Sequence, residues 1–110
     1  MPVIHPDDGR PVLDEELCRQ MTGKRLLVGL TIVRYSGEVI RQVQYHGIVE
    51  RVTYEDGIVI LLADGTVKTL PPDLRGIQRA EPGIYTLRST GEEVRDPDYL
   101  YSWTITQPDA

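Results

Sequence analysis

Leu26, Val28, Leu30 and Ile32 stand at alternate positions of the chain, with Gly29, Thr31 and Tyr35 among the residues that fall out of phase with them. A period of two sustained over Leu26–Tyr35 commits this stretch to a β-strand with one face turned to a core. The following residues continue in the same manner. After the Ser36-Gly37 turn, Val39, Val43 and Tyr45 alternate with Gln42, Gln44 and His46, and the apolar phase then shifts to Ile48 and Val52. A change of phase across Gly47 predicts a β-bulge or a strong bend at that glycine.

Ile58-Val59-Ile60-Leu61-Leu62, entered through Glu55-Asp56-Gly57, is an unbroken apolar run of strand length. It predicts burial on both sides and a central place in the sheet. Asp64-Gly65 predicts a two-residue hairpin with positive φ at both positions, leading into Thr66–Leu70, which Pro71-Pro72 ends. Asp73–Gly76 reads as one helical turn. Ile77–Ala80, Ile84–Arg88 and a short piece around Val94 read as brief strands, and Tyr99–Ile105 as a last one with Tyr99, Tyr101, Trp103 and Ile105 on a single face. The octets Arg34–Arg41 and Arg88–Arg95 echo each other, and two copies of so short a unit imply two similar hairpin turns, not a repeat architecture.

One helix precedes the strands. Asp14, Glu15 and Glu16 place acid at a helix amino end, Leu13, Leu17 and Met21 recur every four residues, and Gly23 stands where a left-handed cap belongs, so a helix is expected over about 14–22. Two turns of helix are unstable alone in water and must lie on the sheet. Residues 1–10, with two prolines, adjacent aspartates and a glycine, read as an irregular arm, and 11–110 as a single domain.

The length of 110 residues, 40% hydrophobic and 26% charged, is that of one ordinary globular domain. No apolar run approaches the roughly 20 residues that span a bilayer, and Met1–Asp8 has no signal-peptide pattern, so a cytoplasmic location is expected. Cys18 is the single cysteine, and no internal disulfide can form. The net charge of −5 is unevenly spread: residues 1–20 carry five acids and two bases, 21–90 seven and nine, and 91–110 five and one. Ten of the twelve cations are arginine, a residue enriched at interfaces.

The order of helix, glycine, long strand, bent strand, short apolar strand, hairpin and helical turn over Asp14–Ala80 resembles the Sm-like and SH3-like barrels. The similarity rests on the helix before Gly23-Lys24-Arg25-Leu26, on Tyr45 two residues before Gly47, and on Glu55-Asp56-Gly57 before Ile58. It implies a small, strongly bent five-stranded barrel with a short helix at its amino end and additional strands at its carboxyl end. It also implies two activities known for such barrels, nucleic-acid binding and self-assembly through edge strands. The asparagine that RNA-binding Sm-like proteins carry in the loop before the apolar strand has no counterpart in Asp56-Gly57.

Catalytic chemistry finds little purchase. Cys18 sits beside the Leu13, Leu17 and Met21 stripe, as a buried hydrophobe would. His5 lies in the arm, and His46 reads as a strand-surface residue; two histidines 41 positions apart and one cysteine have no zinc-site spacing. Asp96-Pro97-Asp98 reads as a turn, and each glycine is isolated, so no phosphate loop exists. We therefore expect no enzyme, no cofactor and no metal.

The expected function is that of a non-catalytic protein-interaction module, an inhibitor or immunity-type protein with a basic partner. Its expected surface combines the aromatic stripe Tyr99, Tyr101 and Trp103 with the acids Glu92, Glu93, Asp96 and Asp98. The same stripe could instead fill the core of a chain that has no phenylalanine. The nucleic-acid alternative would use Arg34, Tyr35, Arg41, Tyr45 and Tyr54, with tyrosines stacking on bases; the acidic pI of about 4.9 opposes it. A self-assembling structural barrel is the third reading.

Overall fold

A computed structural model describes residues 13–107; the arm expected over 1–10, with His5, lies outside them. Helix α1 (Glu15–Met21) is followed by strands β1 (Arg25–Arg34), β2 (Val39–Thr53), β3 (Gly57–Leu61), β4 (Val67–Leu70), β5 (Ile77–Arg79), β6 (Ile84–Thr86), β7 (Glu93–Arg95) and β8 (Tyr99–Gln107). The helix begins where the acids place it. Asp14 caps it by accepting from the Glu16 and Leu17 N–H groups, and Gly23 leaves it at φ +82.

Six strands form one sheet in the order β4-β3-β2-β1-β8-β5, and β6 and β7 form a separate hairpin. The chain is mainly β. No ladder joins the outer strands β4 and β5, so the expected five-stranded barrel is replaced by an open six-stranded sheet. The sixth strand comes from the carboxyl end: β8 inserts between β1 and β5, parallel to β1 and antiparallel to β5. Parallel neighbours need a long connection, and residues 35–98 supply it.

The core lies on one face. Leu26 and Val28 of β1, Val49 of β2, Ile58 and Ile60 of β3 and Tyr99 and Tyr101 of β8 meet there, with Leu13 and Met21 of the helix region laid against them. β2 serves two ladders, its first half pairing with β1 and its second with β3. Gly47 stands where one ladder hands over to the other, and a Cβ there would come within 2.5 Å of the Leu61 carbonyl oxygen and 2.7 Å of Ile60 Cγ2. The glycine thus permits a backbone crossing. The register shift falls three residues later, between Val49 and Arg51, so the extra residue is Glu50 and not Gly47.

Two other expectations shift. β3 is buried on both faces as its unbroken apolar run implies, yet it lies second from the edge, and β2 and β1 hold the centre. The hairpin after it closes from Leu62 to Thr66, so three residues turn the chain, and only Gly65 takes positive φ. That is a type I turn followed by a left-handed glycine, in which Asp64 stays in an ordinary conformation and accepts from Thr66. The two echoing octets do form hairpin turns, closed by Arg34 N–H to Glu38 O and by Leu87 N–H to Glu92 O.

Candidate functional site

Alternation along β8 sorts the residues expected at a partner surface. Tyr99 pairs with Leu26, Tyr101 with Val28 and Trp103 with Leu30, so the aromatic stripe faces the core. Tyr99 and Tyr101 are 4% and 2% exposed. Their rings are withdrawn from any partner surface and pack into the core with Met21, Leu26, Val28, Ile58 and Ile60. Trp103, half-buried, stacks beside Tyr101 at 6.1 Å.

Cations cover this stripe, not acids. The Arg75 guanidinium lies 5.6 Å over the Trp103 ring, and that of Arg79 5.6 Å over Tyr99. Arg75 is held from behind by the buried carboxylate of Asp73, whose two oxygens accept from Nε and Nη2. Those bonds hold the Asp73 carboxyl below the usual carboxylate range. Gly76 sits flat against Trp103; a Cβ would approach its ring to 2.9 Å.

The four acids lie elsewhere and are mostly engaged. Glu92 Oε2 is 2.7 Å from His46 Nε2, and His46 belongs to the opposite face of the sheet, in register with Leu27 and Leu100. Asp96 accepts from the Gly83 N–H and Asp98 from the Arg25 N–H, both through side-chain oxygens. Glu93 is exposed on β7. The expected pairing of aromatics with acids is thus divided: the aromatics lie on β8, whereas Glu93 is on β7 and Glu92, Asp96 and Asp98 stand in the connections before β8, bonded to His46, Gly83 and Arg25.

The nucleic-acid set is divided too. Arg34, Tyr35 and Arg41 gather at the β1–β2 tip, whereas Tyr45 is half-buried beneath Lys68 Nζ, 5.7 Å from its ring. Burial and the neighbouring Tyr101 push the Tyr45 phenol up to about 12. The Tyr54 hydroxyl accepts from the Leu13 N–H.

Among the described candidates, His46 is engaged and Cys18 is half-buried. Arg25 Nη1 lies 3.0 Å from His46 Nδ1. Guanidinium can only donate, so Nδ1 accepts, and Nε2 carries the proton toward Glu92. Both ring nitrogens are engaged, which makes His46 a strut between β2 and the turn before β7. Cys18 is half-buried and burial, with Asp14, pushes its thiol up, away from the reactive thiolate. Among the described residues no group of three or more His, Cys, Asp or Glu is placed to hold a metal ion, and no helix is long and apolar enough to cross a membrane.

The face opposite the core carries the arrangement that sequence reading passed over. The β6–β7 hairpin lies over one end of it, tied by the His46–Glu92 bond and by the Arg88 N–H, which donates to Gln44 Oε1 at 2.7 Å. Beyond the hairpin, which holds Gln44, this face is largely exposed among the described residues. Its rows, read across β8, β1 and β2, are Ser102–Gly29–Gln44, then Thr104–Thr31–Gln42, then Thr106–Val33–Val39. None of these nine residues is charged, in a chain where 26% of residues are.

Gly29 is the centre of the first row, above a depression of about 370 Å³ lined by Thr31, Gln42, Gln44, Ser102 and Thr104. Each other described glycine either has positive φ or lies where a Cβ would collide with a neighbour. Gly29 has neither reason: its φ is ordinary, and a Cβ would meet open space. A glycine inside a strand weakens it and commonly marks a place that something else approaches closely. The uncharged run Gly29, Thr31, Val33, Tyr35, out of phase with the core residues, was the available signal.

Compared with known protein families, with curated proteins and with solved structures, this chain finds no match.

Proposed function

We propose that the protein is a non-catalytic protein-interaction domain, a bent-sheet variation on the small-barrel plan, whose docking surface is the bare face of β2, β1 and β8. The observation that carries this reading is the uncharged, glycine-centred surface itself. Interface centres are depleted in charge, whereas the solvated face of an antiparallel sheet ordinarily carries polar and charged side chains. The acids that would draw a basic partner support an inhibitor role less well, because Glu92, Asp96 and Asp98 hold the fold together.

The test is capture from the protein's own cell lysate by wild type and by Thr31→Glu, with and without added nuclease. Thr31 points away from the core, so the variant keeps its fold, and a circular dichroism melt checks this. A stoichiometric protein retained by wild type and lost by Thr31→Glu is the expected result. Equal capture by both would remove the docking surface, and recovery of nuclease-sensitive nucleic acid alone would favour the Arg34, Tyr35 and Arg41 tip.

A further inference from the structure

We propose that the outer edge of β8, from Thr104 to Gln107, takes an extended peptide segment of a partner protein as a further strand of the sheet. This edge is a separate surface from the face described above. β5 covers only the first part of β8, pairing with Tyr99, Leu100 and Tyr101. Gly76 then closes that row, its carbonyl accepting from the Ser102 N–H at 3.1 Å. β1 accompanies β8 as far as Gln107, so from Thr104 onward β8 has a strand neighbour on one side only among the described residues.

Alternation fixes which main-chain groups are left over. Ser102 turns its N–H toward the side of β5, so Trp103 and Ile105 turn theirs toward β1, and Thr104 and Thr106 present N–H and C=O to the open side. These groups recur about 7 Å apart, the two-residue step of a strand. What satisfies such a row is another extended main chain.

The edge is also unguarded. Proteins blunt edge strands with brevity, lysine and proline. β4, at the other edge of the sheet, is four residues long, carries Lys68 and runs into Pro71-Pro72. Thr104-Ile105-Thr106-Gln107 is uncharged, β-branched at three positions and exposed throughout. A peptide residue set opposite Ile105 stands beside that side chain, 42% exposed, and suits an apolar side chain.

A second copy fits this edge less well than a peptide does. Two β8 edges paired about a two-fold axis at Ile105 would set Gln107 of each copy against Trp103 of the other. The chain beyond Gln107 would then run into the Gly76 that closes the other row at Ser102. A peptide can end there.

Amide exchange of the isotope-labelled full chain, followed by NMR, tests this with a capped Thr-Val-Thr-Val-Thr peptide flanked by single lysines, at up to about 1 mM. In the free chain the Thr104 and Thr106 amides should exchange fast while those of Trp103 and Ile105 are protected, and the peptide should slow the first pair. Thr106→Pro removes one outward N–H without touching the β1 ladder, so it should keep the fold by circular dichroism and weaken binding about tenfold or more. A twin peptide N-methylated throughout should not bind. Thr31→Glu should bind as wild type does, which makes this result independent of the face proposed above. No slowing of Thr104 and Thr106 by the peptide overturns the inference, and so does equal binding of the methylated twin. Protection of both amides in the dilute free chain also overturns it, because the edge is then covered from within. Protection that rises with protein concentration alone overturns it in favour of a second copy.

Discussion

Arg25 and Asp98, 73 positions apart, hold each other by two reciprocal bonds: the Arg25 N–H donates to Asp98 Oδ2 at 2.9 Å, and the Asp98 N–H donates to the Arg25 carbonyl at 3.0 Å. They stand at the entry to the parallel ladder of β1 with β8, whose first register pair is Leu26 with Tyr99. Asp98→Ala removes the side-chain acceptor and should cost about 1–2 kcal/mol in urea unfolding. Asp98→Asn keeps an acceptor oxygen and should recover most of that loss. Equal stability of all three proteins would show that backbone pairing alone sets the register.

Gly29 and Gly47 should respond oppositely to the same change. Gly47→Ala forces a Cβ toward the Leu61 carbonyl, a backbone atom that cannot turn aside, and should destabilise by about 2–3 kcal/mol. Gly29→Ala meets open space at ordinary φ and should stabilise by up to about 1 kcal/mol, because alanine loses less freedom in a strand. Thermal melts of the two variants beside wild type check both signs.

Acid should weaken the clamp on the β4–β5 connection. Hydrogen bonds from Arg75 keep the Asp73 carboxyl below its usual range, so the folded chain holds this proton less readily than the unfolded chain does. The pair's contribution is complete above the unfolded carboxylate range near about pH 4 and is lost as pH falls through the lower folded value. Asp73→Asn should therefore be less stable than wild type at neutral pH, with the gap narrowing as pH falls below the unfolded carboxylate range. A gap that stays constant with pH would mean the carboxylate charge contributes nothing.

Alkali should act through Tyr45. Its phenol is pushed up to about 12 by burial, with Tyr101 adding to the shift, so the unfolded chain ionises first. Stability is complete below the unfolded value near about 10 and falls as pH rises toward the folded one. Burial pushes Tyr101 up as well, so in an ultraviolet phenolate titration of the folded protein Tyr45 and Tyr101 should lag the others, and Tyr45→Phe should reduce the amplitude of that late step.

Much of the fold was legible because its signals are local. The acids at 14–16 and Gly23 bound α1, and the alternation of Leu26, Val28 and Ile32 named the core face of β1 before any neighbour was known. Of the bulge or bend expected at Gly47, the bulge falls at Glu50, because a glycine marks bulges, bends and close crossings alike, and only the path of Leu61 past it tells which. Of the expected site, Trp103 remains half-exposed, Tyr99 and Tyr101 are core, and the acids near them in sequence stand on other surfaces.

The sequence by itself determined most strand positions, the core faces of β1 and β8, and the helix with its caps. These follow from steric preferences within a few residues. Tertiary structure decided that β8 lies parallel to β1, that arginines cover the aromatic stripe, and that the β6–β7 hairpin leaves half of the opposite face bare. Strand neighbours and face coverage depend on contacts between residues dozens of positions apart, whose free energy is shared across the whole sheet, so no short window of residues contains it.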